Sequence, residues 1–509
     1  MSTVLLDGRS LTPHDVWRVA NGAAVELCRE SRNRMQANHQ DWVKLGSPDV
    51  LAGKEAWLLG STPEQRVSSP QRLRAFVESH CAGVGEPLPA AWVRALMVGR
   101  ANVLARACSG CRPEAVDILL HMLNHNVHPV VPRLGSVGAA GDLAPLAHVA
   151  RVVFRLGGKA ETEAGILLAK EAMSTAPEFS PTSKEALSFI NGATLSSTLA
   201  ALACVRGEKL LATSETVLAM TMEAVLAQSH CIDQFALSAR GQRGGVEVAQ
   251  RLTEMLQGSE MVRPDRQPDA FSIRCAPSVL GAAQDSLRHV QKIVTRELNG
   301  ACDNPLVLDG RLVECGNFHG APVGLAMDQL KTAMTQVATL SERRTFRMTH
   351  GDLSGRLPSF LVEDTGTNSG FMLAQYTAAS LASECKGLAM PASVDSIPTG
   401  QHHEDHVSMA PIAARACLRI LDALSEILGI EALCAAQALD FRIEGASFSA
   451  DGERQNGERL SPTQAVQRAH KAIRNISPSW TTDRVLHLEL QASTALIRGG
   501  GLLHEASPW

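Results

Sequence analysis

The chain has 509 residues, 45% hydrophobic and 20% charged, with 48 Lys plus Arg against 52 Asp plus Glu and a net charge of −4. This is an ordinary globular balance, long enough for more than one core at ~100–200 residues per domain. There is no basic excess to draw nucleic acid or an anionic membrane, and no run of ~18 apolar residues to span one.

Aromatic residues make up 4%, and Tyr376 is the single tyrosine. Sheet-rich folds need more aromatic and β-branched residues, whereas the abundant alanine and leucine favour helix, so an all-α fold is expected. The 12 cysteines are scattered through apolar segments, Cys204 and Cys434 among them. They read as reduced packing residues of a cytoplasmic protein. Cys108 and Cys111 form a CxxC with no second pair at zinc spacing, so no metal site is expected there. The segment "MSTVLLDGRSLTPHDVW" lacks the basic and apolar regions of a signal peptide.

In chain order, the first part up to about residue 190 is broken by Gly and Pro, in 44–70, 83–89 and 130–145. Helices of ordinary length fit between these breaks. From residue 191 onward the pattern changes. Residues 194–227, 370–390 and 409–439 are long periodic stretches, apolar around most of their circumference. Such helices must be buried on several sides, which predicts a long-helix bundle shared between copies in a homo-oligomer. The expected domains are therefore 1–190 and 191–509. The polar stretch 444–462 reads as a surface loop.

Motifs then narrow the reading. Residues 133–150 read "RLGSVGAAGDLAPLAHVA". This resembles the loop GSVGASGDLAPLAH of the aromatic amino acid ammonia-lyase family, matching at Gly135, Ser136, Val137, Gly138, Asp142, Leu143, Pro145 and His148. Further ordered blocks agree: "FINGATLSS" with Asn191 and Gly192, "ARGQRG" (239–244), "FSIRCAP" (271–277), "CDNPLV" (302–307) and "GNFHGAP" (316–322) with Phe318. "LSERR" (340–344), "NSGFMLAQ" (368–375) and "ASVDSIPTGQHHEDHVSMAP" (392–411) complete the series, which spans roughly 80–411. The resemblance implies a homotetrameric long-helix bundle of the fumarase/aspartase-like type, with each active site collecting residues from three subunits.

Ser79-His80 and Glu404 point to the histidine branch of the family (histidine ammonia-lyase-like). A carboxylate beside an imidazole stabilises the cationic ring. By the same resemblance Arg274 is the expected carboxylate clamp. His80, Asn191, Arg274, Phe318, His402 and His403 are expected to bind an amino-acid-like small molecule.

The chemistry breaks at the loop. In the family an Ala-Ser-Gly triplet cyclises and dehydrates to the electrophile MIO (4-methylidene-imidazole-5-one). Here the triplet is Ala139-Ala140-Gly141. Ala140 has no hydroxyl to lose and Ser136 lies outside the triplet, so no MIO cofactor is expected. The family's YGxxTGFG loop supplies a tyrosine base, and here "GKEAWLLGSTPEQR" places Trp57 nearest that position. Trp has no titratable group for proton abstraction. Phe271 stands in place of a second active-site tyrosine, Pro268 in place of a glutamine, and His402-His403-Glu404 where NQE is usual.

Three readings follow. The first is a degenerate or repurposed lyase without ordinary ammonia-lyase activity. The second is an MIO-independent lyase expelling a better leaving group, such as trimethylamine, from a histidine-like or aromatic betaine. The third is metal-assisted chemistry at "HHEDH" (402–406), disfavoured because His406 and Asp405 belong to the ordinary family pattern.

Overall fold

The computed structural model describes residues 2–52, 69–400, 403–449 and 452–503. The protein is mostly helical, as the composition predicts. Its helices include α1 (Ala90–Ala105), α2 (Leu143–Val153), α3 (Ser183–Ile190), α4 (Thr194–Ala224), α5 (Ala276–Leu298), α6 (Ala321–Thr349), α7 (Met372–Leu388) and α8 (Ala410–Glu444). The three apolar stretches read from the sequence coincide with α4, α7 and α8. Short strands also form, which composition did not predict. Val84–Pro87 pairs antiparallel with Pro132–Leu134, and His128–Pro129, Lys159–Thr162 and Gly165–Leu168 make a small three-stranded sheet. Among the described residues no helix is long and apolar enough to cross a membrane.

Contacts divide the chain into two compact units, one of 1–205, 290–328 and 391–415, the other of 206–289, 329–390 and 416–509. These are not the contiguous 1–190 and 191–509 expected from the sequence. Hydropathy marks where helices lengthen, whereas units are set by segments that the chain brings back from far along its length.

In the first unit α1 is buried from Val93 to Ala105, Arg94 and Arg100 included. Gly99 lets it press against α4, since a Cβ there would lie 2.3 Å from Thr198 Cγ2. A capping box starts α3: Thr182 accepts the Glu185 N–H while the Glu185 carboxylate reaches back to the cap. Deeper in, Lys184 Nζ meets Asp303 Oδ2 at 3.1 Å and Ser188 Oγ at 2.6 Å, all buried. Burial pushes the Asp303 carboxyl up, but Lys184 and Arg100 outweigh it and hold the group below its ordinary range.

In the second unit the matching device is Arg344 with Glu431, a fully buried bidentate pair at 2.5 and 2.8 Å. Thr221 and Ser341 donate to the same carboxylate, so α4, α6 and α8 meet at one charge. Removing one partner of such a pair leaves an uncompensated buried charge, worth about 3–5 kcal/mol.

Near the end of α4, buried Glu223 accepts Ser259 Oγ at 2.6 Å and the Thr463 N–H at 3.1 Å, tying down the start of the helix Gln464–Arg474. Burial pushes this carboxyl up to about 7, against the pull of those hydrogen bonds. A carboxyl that binds its proton more tightly folded than unfolded favours the folded state at low pH, and that contribution is lost as pH rises through 7. Thermal midpoints taken from pH 5 to 8 should therefore fall less steeply in Glu223→Gln than in the wild type. The expected difference is at most ~3 kcal/mol over the window, and parallel curves would show that Glu223 titrates normally.

Candidate active site

The loop that carries the triplet is built by close approach of main chain to main chain. After the strand Pro132–Leu134, Gly135 passes over Gly83, leaving 3.0 Å between its would-be Cβ and Gly83 Cα. Gly141, at φ +84°, lies against Gly192 so closely that a Cβ would sit 2.1 Å from the Gly192 carbonyl carbon. Gly192, at φ +109°, is pressed in turn on the Cys302 carbonyl, 2.2 Å from its would-be Cβ. The Asp142 N–H donates to Gly192 O at 2.9 Å and the Gly192 N–H to Ala140 O at 3.2 Å. Three segments distant in sequence thus stack with no side chain between them.

Asp142 then anchors the loop to α4. Its buried carboxylate accepts the Ser196 N–H at 2.8 Å, the Ser196 hydroxyl at 3.1 Å and the Ser136 hydroxyl at 2.9 Å. A carboxylate at the first turn of a helix satisfies free N–H groups and complements the helix dipole. Burial nevertheless pushes the Asp142 carboxyl up, the hydrogen bonds and the charge of Arg415 pulling it part of the way back.

On its other side the loop is held by residues that follow Glu404. Ser408 Oγ donates to Gly138 O at 2.8 Å, and the Met409 N–H to Val137 O at 2.9 Å. Ala139 is buried against Val407 and Met409. Ala140 is half-buried and carries only a methyl group.

Asn191 follows directly on α3. Its carbonyl accepts Arg100 Nη1 at 2.6 Å, which fixes the turn. The side chain is 5% exposed, and its Oδ1 has no partner among the described residues. His80 ends the helix Pro70–His80 with its ring 4.5 Å from that of Phe76. Its Nδ1 lies 2.7 Å from Phe76 O, so Nδ1 carries the proton and Nε2 is left as an acceptor.

Phe318 is half-buried just before His319. The latter accepts the Ala321 N–H at Nδ1 and meets His406 O through Nε2 at 3.2 Å, joining 316–320 to the segment that bears Glu404. Glu404 is held by its own hairpin: Thr399 Oγ1 donates to Oε2 at 2.6 Å and the Thr399 N–H to Glu404 O at 3.0 Å. His403 is exposed beside it. Among the described residues no three His, Cys, Asp or Glu side chains converge as metal ligands.

The first unit therefore contains the triplet Ala139-Ala140-Gly141, Asn191, His80, Phe318, His403 and Glu404. Phe271 and Arg274 belong to the second unit, in the short helix Phe271–Arg274, with Phe271 74% exposed. Trp57 and His402 lie outside the described residues. Sequence reading missed Arg100, Ser196, Thr399 and Ser408 as supports. Only Arg100 had a signal, as one of two arginines in a helix that is mostly apolar.

A sequence profile described as "Aromatic amino acid lyase" matches residues 11–475. The chain is 40% identical over 528 aligned positions to a histidine ammonia-lyase from Anaeromyxobacter sp. (strain K), covering 99% of this chain and 100% of that one. Its structure is similar to histidine ammonia-lyase from Trypanosoma cruzi, at TM-score 0.86 and 34% identity over 99% of this chain and 94% of that one. It is similar too to tyrosine aminomutase from Streptomyces globisporus, at TM-score 0.89 and 29% identity over 98% of each chain.

The stacked glycines make a direct prediction. Gly141→Ala meets backbone as well as an unfavourable φ, whereas Gly165→Ala, at φ +105° with nothing near its would-be Cβ, meets only the φ. Unfavourable φ alone is worth ~1–2 kcal/mol. Gly141→Ala should lower stability to denaturant by clearly more than Gly165→Ala, and equal losses would mean that the loop yields without strain.

Proposed function

Because the chain belongs to the aromatic amino acid lyase family, we propose that it is a repurposed, histidine ammonia-lyase-like member that keeps an amino-acid-shaped site without ordinary ammonia elimination. One observation carries this reading: the scaffold of the triplet is complete, yet Ala140 offers a methyl group where the family's electrophile needs a hydroxyl to lose. The residues present do not fit MIO, because Ala140 has no hydroxyl to lose. Ammonia is a poor leaving group and the β-proton is weakly acidic. An unactivated amino acid would have to overcome both difficulties with the side chains that remain.

Those side chains suit binding better than elimination. Arg274 offers a guanidinium for a carboxylate, Asn191 an unpaired amide oxygen for an ammonium, and His80 and Glu404 acceptors for a ring N–H. The base and second tyrosine of the family are replaced by Trp57 and Phe271, neither of which moves a proton. Loss of one preorganised stabilising group typically lowers rate ~10²–10³-fold, and loss of covalent activation with the base lowers it further.

A second reading has one feature in its favour. The Thr399–Glu404 hairpin holds His403 exposed beside a fixed carboxylate, a titratable group new to the site. An elimination that needs no electrophile, expelling trimethylamine from a betaine such as the trimethylammonium derivative of histidine, would use such a base. Purified protein should give no urocanate from L-histidine by ultraviolet absorbance, and Ala140→Ser alone should not restore it. Clear turnover by the wild type overturns the main reading. Trimethylamine release that His403→Ala or His402→Ala abolishes would select the second reading.

The apolar surface accords with a homotetramer. Leu373 and Tyr376 on α7, Met390 at 72% exposure and Val394 at 79% face water in the single chain. Exposed apolar groups in that density mark interfaces. Light scattering should give a tetrameric mass, and a compact monomer would remove this part of the proposal.

A further inference from the structure

The helix Glu114–Asn124, in the first unit, buries Ile118, Leu119, Met122 and Leu123. Its other face carries His121, half-buried, and the cap residue His125, exposed. Side chains four residues apart on a helix are neighbours on its surface. The two imidazole rings do meet, with centroids 4.0 Å apart and planes 22° from parallel. Among the described residues no other two histidines stand four apart along one helix.

Each ring has a spare nitrogen. His125 Nδ1 lies 2.8 Å from the His121 carbonyl, which can only accept, so Nδ1 carries the proton and Nε2 keeps a lone pair. A backbone carbonyl on the second nitrogen is the arrangement that orients a metal-ligating imidazole. His121 Nε2 is buried and has no hydrogen-bond partner among the described residues. The polar groups next along the chain are already committed. Asp117, one turn earlier, takes two hydrogen bonds from Arg32 at 2.5 and 3.0 Å, and His128 Nε2 faces Arg94 Nη1 at 3.0 Å. The protein thus offers two ligands here, with solvent on the side of His125.

Two histidines four apart on one helix face is the spacing with which helices ligate zinc. An ion shared by two imidazoles sits ~2.0–2.1 Å from each nitrogen, which sets the nitrogens ~3.0–3.4 Å apart. Rings whose centroids are 4.0 Å apart reach that separation by a tilt of the exposed His125. Magnesium and calcium prefer oxygen ligands, whereas imidazole suits nickel, copper and zinc.

We propose that His121 and His125 form a two-ligand site for a divalent transition metal of the nickel, copper and zinc group, with water filling the remaining positions. The ion ties the cap to the last turn of the helix. That turn carries Asn124, which accepts the Val25 N–H at 2.9 Å and donates Nδ2 to Val25 O at 3.0 Å. Metal binding therefore fastens the helix end that holds the strand Val25–Leu27. A ligand bound only by the folded chain raises its stability.

The inference shares no residue with the functional reading above and does not rest on it. Nickel chloride is titrated calorimetrically into the full chain, stripped of metal with chelator, at about pH 7.5, where an ordinary imidazole is neutral. Binding is expected in the wild type. His121→Ala and His125→Ala should each weaken it roughly tenfold or more, because the second nitrogen acts at the high effective concentration of a tethered ligand. His403→Ala should leave it near the wild type. Absence of binding overturns the proposal, as does binding that neither helix variant weakens. Binding that only His403→Ala removes also overturns it and assigns the metal to 402–406. Paramagnetic resonance of added copper(II) gives a signature independent of affinity, with two imidazole nitrogens expected in the wild type and one in His125→Ala. Identical spectra refute the site. If His121→Ala fails to fold, the thermal midpoint decides: a rise with nickel that His125→Ala abolishes supports the site, and a rise that survives in His125→Ala, or no rise, refutes it.

Discussion

The contact of Gly141 with Gly192 is the constraint on which the first unit's functional architecture depends. Two backbones meet where neither residue has a side chain, and a third, at Cys302, closes on them from behind. Everything nearby is referred to this stack. Asp142, the next residue, turns its carboxylate into the first turn of α4, so loop and helix share one anchor. Asn191, the residue before Gly192, is placed by the same turn with its carbonyl held by Arg100. Hydrogen bonds from Ser408 and Met409 bring the strand of chain beyond Glu404 onto the same loop.

Such a scaffold is indifferent to the side chain at residue 140. The interactions that shape the triplet are made by main-chain N–H and C=O groups, by Asp142 and by serines outside the triplet. None involves the side chain at 140. A hydroxyl at residue 140 takes no part in these contacts, so an alanine there leaves them all in place. Stability selects the glycines and Asp142, whereas reactivity alone selects the atom on Cβ of residue 140. The two can therefore part company.

Buried charge is used in the same economical way in both units, each time joining elements far apart in sequence. Lys184 and Arg100 share Asp303, and Arg344 takes Glu431 together with Thr221 and Ser341. In each case donors outnumber or equal the lone pairs they meet, which is the condition for a buried carboxylate to be tolerated.

The residue order by itself determined the helical class, the long apolar stretches of α4, α7 and α8, the family and the absent hydroxyl at 140. These are legible because helix periodicity and motif spacing are local, and because a missing functional group is visible in one letter. Only the tertiary structure decided that Asp142 caps a helix far along the chain, that Thr399 pins Glu404, and that Phe271 and Arg274 fall in a different unit from the triplet. It also decided the short strands, which arise where loops meet rather than from any β-rich composition. The physical reason is common to all of these. Each is a hydrogen bond or a backbone approach between residues remote in sequence, and its geometry exists only once the chain has closed those distances.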